Sequence, residues 1–206
     1  QDLPALPEGP LHGLVNAAGL PPRAGQEATI LAVNTLGLRA VTRAALDRLA
    51  PGAGIVNLAS KAGSEWRANR AQALRLLAVE DPAALPGFAA QEALDPVRAY
   101  DLSKEAVIVW TKAMTAPLLA RGLRMNAVSP AAVDTPILQD FFAAFGPRAA
   151  RGLALTERAG TAAEIAHLRI ADGAAPAFEE EFRILLRKAI LSKSAIALVD
   201  EQTVRH

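Results

Sequence analysis

Cysteine is absent from all 206 residues, which excludes both a disulfide framework and a thiolate-bound metal centre. Aromatic residues are scarce at 4% although 51% of the chain is hydrophobic, so Ala and Leu supply most of the apolar surface. Charge of one sign is lacking as well: 22 basic and 21 acidic residues are scattered along the chain and leave a net +1. That balance offers neither the basic stripe of a nucleic-acid binder nor a membrane-surface patch. The apolar runs fall well short of the ~20 residues that span a bilayer, and no charged-then-apolar leader opens the chain, so a cytoplasmic protein is the expectation. The length is enough for one domain with a sizeable core.

What is present alternates strands with helices. After a Pro/Gly-punctuated opening, Leu11 to Asn16 reads as a short buried strand that runs into Ala17-Ala18-Gly19. Small residues directly after a strand allow close backbone approach by a ligand at the carboxyl end of a sheet, although an ordinary turn has the same composition. His12 packs or faces solvent. Gln26 to Ala50 has helical periodicity through Ile30, Val33, Leu36, Val41 and Leu46, with Asn34 inside it. A mid-helix Asn competes with the backbone and is either a satisfied core group or a working one. Gly54 to Ser60 predicts a second strand that ends in a hydroxyl, and a strand–helix–strand order predicts a parallel sheet. An insertion at about 61–99 carries two short helices, near 71–79 and 86–94; long insertions of this kind cover a site or make an interface. A long helix over about 99–120 follows, with Pro117 predicting a kink or an early end. Leu123 to Val128 then predicts a third strand.

Within the long helix stands Tyr100-Asp101-Leu102-Ser103-Lys104. Residues four apart share a helix face, so the phenol and the ammonium are neighbours. A phenol ordinarily titrates near pH ~10; an ammonium beside it favours phenolate and would suit Tyr100 to proton exchange with a carbonyl/alcohol pair near neutrality. Taken alone the pair describes a solvated helix face as well as it describes a site.

Asn16-Ala17-Ala18-Gly19, Asn34, Ser60, Tyr100 with Lys104, and the Asn126…Pro130…Thr135-Pro136 segment together resemble the short-chain dehydrogenases/reductases, in order and, apart from the insertion, in spacing. The likeness covers residues 2 to about 166. The insertion is similar to that of the 3α-hydroxysteroid dehydrogenase/carbonyl reductase and coniferyl-alcohol dehydrogenase branches. The resemblance implies a single α/β domain with a Rossmann-like doubly wound parallel sheet and an NAD- or NADP-dependent oxidation of a secondary or allylic alcohol, with NAD favoured. It implies that Tyr100 is the acid/base, that Lys104 lowers its pKa and holds the nicotinamide ribose, that Ser60 binds the substrate oxygen and that Asn34 organises a water. It places Asp2, Asn16, Ala17, Ala18, Gly19, Pro130, Ala131, Val133 and Thr135 around the cofactor. The implied partners are a small alcohol or ketone and further copies of the chain, as a homodimer or homotetramer, with no nucleic acid, membrane or metal. A non-catalytic relative that works as a binding or scaffold module is the rival reading.

The sequence departs from the family pattern in three places. No Gly-rich phosphate loop (G-x-x-x-G-x-G) precedes Leu11, and the resemblance leads to the expectation that a first βαβαβ half of roughly 60–70 residues is absent from these 206 residues. The expectation is that the outer edge of strand 11–16 is open and association-prone, and that the chain alone binds a dinucleotide weakly or not at all. Ala131 replaces the usual Gly. From about 167 to 206 the chain diverges: 176–188 predicts an amphipathic helix, acidic at its start and basic at its end, suited to packing or a dimer contact. The usual Val-Asp-Gly-Gly ending survives only as Val199-Asp200.

Overall fold

The computed structural model describes residues 9–166 and 196–200. Three strands, β1 (Leu11–Asn16), β2 (Leu49–Leu58) and β3 (Arg124–Val128), run parallel and are joined by helical crossovers. This is the α/β architecture that the strand–helix alternation predicts. Gly13 to Asn16 pair with Gly54 to Asn57, and Gly54 to Leu58 pair with Arg124 to Val128. β2 begins at Leu49 rather than at the predicted Gly54, and ends at Leu58. Gly52 takes φ 85, which lets the strand bulge there and resume its pairing with β1.

The edge of β1 that was expected to be open is paired. A fourth strand, β4 (Ile196–Asp200), lies antiparallel to it, and the sheet order is β3-β2-β1-β4. Val199 and Asp200 thus lie opposite Gly13 and Leu11. The physical reason is that a buried apolar strand leaves a row of unpaired N–H and C=O groups, and an extended segment of the same chain satisfies them.

The first crossover is one continuous helical rod of α1 (Glu27–Leu31), a π-helical turn (Ala32–Gly37) and α2 (Leu38–Ala45). The predicted regular helix is therefore interrupted, and Asn34 sits inside the wider turn. π-turns of this kind occur where a helix must aim particular side chains.

The second crossover holds the insertion. A 3₁₀ segment (Lys61–Arg67), α3 (Arg70–Leu77) and α4 (Leu85–Gln91) lead into α5 (Pro96–Leu119). α5 starts where Asp95 accepts the Arg98 N–H at 2.7 Å, with Pro96 at its first position. It ends two residues beyond Pro117, which cannot continue the hydrogen-bond ladder.

Two cores meet on α5. Val107 and Trp110 pack with Leu14 and Ile55 of the sheet and with Leu38 and Val41 of α2. Leu102, Ala106 and Val109 pack with Ala73 and Leu76 of α3, Leu85 and Ala89 of α4 and Leu31 of α1. A helix that is apolar nearly all round is a buried one, and here the insertion supplies the second cover. A polar ladder crosses the sheet at the same level. Asn16 donates to Thr42 Oγ1 and to Asn57 Oδ1, both at 2.8 Å, and Asn57 donates to Thr111 Oγ1 at 2.9 Å. All four side chains are buried, so each bond replaces a costly unpaired group.

After β3 come α6 (Leu138–Phe145), α7 (Pro147–Thr156) and α8 (Ala162–Ala166). Gly146, between the first two, adopts φ 49 and ψ −123, a backbone that side chains rarely tolerate, and the chain turns sharply there. Asp2 and the predicted amphipathic helix at 176–188 lie outside the described residues.

Candidate active site

The parallel strands point their carboxyl ends at one space, and β2 ends beside it at Leu58-Ala59-Ser60. Ser60 opens the 3₁₀ segment, its Oγ accepting the Ala62 N–H at 3.1 Å, and its hydroxyl is near enough to the Tyr100 phenol to favour the ionised form. Tyr100 is 5% exposed. One turn along α5, Lys104 is 4% exposed and donates from Nζ to the Leu58 carbonyl at 2.9 Å. The pair therefore does not lie on a solvated face.

The approach of the 3₁₀ segment to α5 is close because Gly63 has no side chain. A Cβ there would come within 2.9 Å of both Ile108 Cδ1 and the Lys104 backbone carbon. Gly63 was not singled out from the sequence, because its requirement comes from a helix far along the chain.

Asn34, fully buried, ties the loop after β1 to α5. Its Oδ1 accepts the Leu20 N–H at 2.8 Å, and its Nδ2 donates to the Leu20 carbonyl at 3.2 Å and to Ser103 Oγ at 3.1 Å. Gly19 lies alongside: a Cβ built on it would sit 3.5 Å from both Asn34 Oδ1 and Lys104 Nζ. Asn16, in contrast, spends its side chain on the ladder between strand and helices, while Ala17 and Ala18 carry the chain from β1 to Gly19.

On the far side, Pro130 accepts the Lys61 N–H at 2.8 Å, which fixes the segment after β3 against the start of the 3₁₀ segment. Val133 makes an isolated parallel bridge to Gly160, and Thr135 Oγ1 donates to the Val133 carbonyl at 3.3 Å. Ala131 is not in the left-handed region; among the described residues only Ala93 and Glu157 combine a side chain beyond glycine with positive φ. The Gly-to-Ala departure is thus accommodated without backbone strain.

Aromatic residues that the sequence reading passed over close the space. Phe141 and Phe145 of α6 meet the Tyr100 ring edge-on, with centroids 5.2 and 5.9 Å away. Two ion pairs pin this cover: Arg148 to Asp101 at 2.6 Å and Arg23 to Asp140 at 2.8 Å. The only sequence signal for it is a Phe pair four apart on a helix.

Burial decides the electrostatics. It pushes the Tyr100 phenol well above its ordinary value, and the nearby Ser60 hydroxyl only partly offsets this. It pulls the Lys104 ammonium down to about 8. The expectation that Lys104 lowers the phenol toward neutrality is not met in this arrangement: Nζ stands 5.7 Å from the ring centroid and is engaged with Leu58, so desolvation prevails. Asp101 is likewise raised by burial, against the pull of Arg148.

The family model described as enoyl-(acyl carrier protein) reductase matches residues 84–171. Coniferyl-alcohol dehydrogenase of Pseudomonas sp. strain HR199 is 36% identical over 148 residues, which are 68% of this chain and 55% of that protein. The crystal structure of the 3α-hydroxysteroid dehydrogenase of Pseudomonas sp. B-0831, complexed with NADH, aligns at a TM-score of 0.60 and 25% identity over 90% of this chain and 67% of its own. The chain belongs to the short-chain dehydrogenase/reductase family. A further short-chain dehydrogenase/reductase, of Pyricularia oryzae, is 33% identical over 131 residues, 64% of this chain and 38% of its own. The chain thus spans about half the length, or less, of these curated relatives. Among the described residues of this short-chain dehydrogenase/reductase no helix is long and apolar enough to cross a membrane.

Proposed function

We propose that this chain carries the proton-transfer centre of a nicotinamide-dependent oxidoreductase that interconverts a secondary or allylic alcohol and its carbonyl. The observation that supports this most is the meeting of the Tyr100 phenol, the Ser60 hydroxyl and the Lys104 ammonium in one buried space at the carboxyl ends of parallel strands. Ser60 holds the substrate oxygen, Tyr100 exchanges a proton with it, and Asn34 keeps the loop at Gly19 in place beside Lys104. With its pKa held up by burial, Tyr100 is protonated at neutral pH and is set as the donor that carbonyl reduction needs.

The residues present fit the nicotinamide-ribose half of NAD or NADP. Lys104, Gly19, Val133 and Thr135 would hold it, with Ala17, Ala18, Pro130 and Ala131 shaping the walls. A pyrophosphate-cradling glycine loop is not among the described residues. Bound there, the dinucleotide supplies the hydride acceptor for the alcohol carbon. NAD is favoured because one structural relative was solved with NADH. Phe141 and Phe145 offer an apolar, flat-sided wall, in keeping with the relative named for coniferyl alcohol. In this reading the protein is cytoplasmic and works as a homodimer or homotetramer.

The test uses the whole protein with NADH or NADPH. Tyr100→Phe lowers kcat by about 10²-fold or more, while dinucleotide Kd by calorimetry changes by less than about twofold. A variant that keeps most of its turnover removes Tyr100 from the role. Failure of the unsubstituted protein to bind NADH or NADPH saturably favours the scaffold reading.

A further inference from the structure

Ser103 lies between Tyr100 and Lys104 and is fully buried. Its Oγ donates to the Tyr100 carbonyl at 2.7 Å and accepts from Asn34 Nδ2 at 3.1 Å. A serine hydroxyl carries one proton. Because that proton goes to Tyr100, Ser103 can only accept from Asn34, which matches the orientation that Leu20 imposes on the amide: oxygen toward the Leu20 N–H, nitrogen toward the Leu20 carbonyl and α5. An unbroken path of hydrogen bonds runs from the Leu20 backbone through Asn34 and Ser103 to the carbonyl of Tyr100. The next residue adds a second rung, since Thr35 Oγ1 donates to the Ser103 carbonyl at 3.4 Å. Successive residues of an α-helix diverge in direction; the wider π-turn at Ala32–Gly37 reduces that divergence and lets Asn34 and Thr35 both reach α5.

We infer that Ser103 is a positioning residue: by accepting from the Asn34 amide that Leu20 orients, it locks the turn of α5 bearing Tyr100 and Lys104 against the Gly19-Leu20 loop. The inference rests on the acid/base reading of Tyr100. Removing the hydroxyl leaves an Asn34 N–H buried without its partner and frees α5 to shift relative to the loop, and small misplacements of reacting groups are costly in rate.

A double-mutant cycle in the full-length, dinucleotide-binding protein tests it. Ser103→Ala lowers kcat by about tenfold or more with a smaller change in dinucleotide KM, and in an Asn34→Ala background the same substitution costs less than about twofold. Equal losses in both backgrounds, or a Ser103→Ala variant with more than about half of wild-type kcat, overturn the inference. Should Ser103→Ala fail to fold, Ser103→Cys keeps the bulk but donates weakly; it falls between the two in kcat, and wild-type kcat for Ser103→Cys also overturns it. An inactive Tyr100→Phe beside a fully active Ser103→Ala sinks only the positioning role. An active Tyr100→Phe sinks the acid/base reading beneath it.

Discussion

Lys104 keeps its amine in a place that disfavours charge, and this has a measurable cost. Its value falls to about 8 in the folded protein against an ordinary 10.5, so between those limits the unfolded chain binds more protons than the folded one. Stability therefore rises as pH increases from about 8, by at most roughly 1.4 kcal/mol per pH unit. Above about 10 the buried Tyr100 acts in the opposite sense, because its folded value is raised and unfolding then releases a proton. Urea unfolding at about pH 8 and pH 10 should show the rise in the unsubstituted protein and its loss in Lys104→Met. A slope that survives the substitution assigns it to another group.

At the scale of elements, the insertion is held to α5 by a buried charge. Glu105, with its side chain 1% exposed, accepts from Arg98 at 2.6 and 3.0 Å and from Asn69 at 2.7 Å. Glu105→Ala leaves Arg98, 28% exposed, with Gln72 as its remaining side-chain partner and leaves the Asn69 amide unpaired, and should cost about 1–3 kcal/mol, seen as a lower urea midpoint. Arg75→Ala, at an ion pair whose arginine is 55% exposed, should cost no more than about 1 kcal/mol. Equal effects would mean that the clamp is ordinary surface electrostatics. This arrangement also explains what could be read in advance. Strands β1 to β3 and α5 were legible because their apolar periodicity is local, and Asn34, Ser60, Tyr100 and Lys104 through the ordered motifs of the family resemblance; β4 was not, since it is a strand only by pairing with β1. Gly63, Ser103 and the Phe141–Phe145 pair were not, since each acquires its role from a partner brought near by folding. The π-turn left no mark on the periodicity, and the strand start at Leu49 is hidden because Pro51-Gly52 breaks the apolar run ahead of Gly54.

For the molecule as a whole, the pairing of β4 with β1 decides whether the sheet has a sticky edge. Ala197 and Leu198 lie opposite Val15 and Leu14. On an edge strand, successive N–H groups alternate inward and outward, so proline at both positions must remove at least one ladder bond. The double variant Ala197→Pro/Leu198→Pro should unpair β4, expose β1 and shift the protein to larger species in light scattering, with little loss of helical circular dichroism. An unchanged mass would show that something else protects that edge.

The aromatic cover over Tyr100 has a spectroscopic corollary. This is the one tyrosine in the 206 residues, so the ultraviolet absorption of phenolate reports a single hydroxyl with no background from others. Sealed between Ser60, Phe141 and Phe145, that hydroxyl keeps its proton while the surrounding packing lasts. In an alkaline titration the phenolate band and the loss of helix should then grow together, and the colour change of one ring becomes a clock for the opening of the whole site.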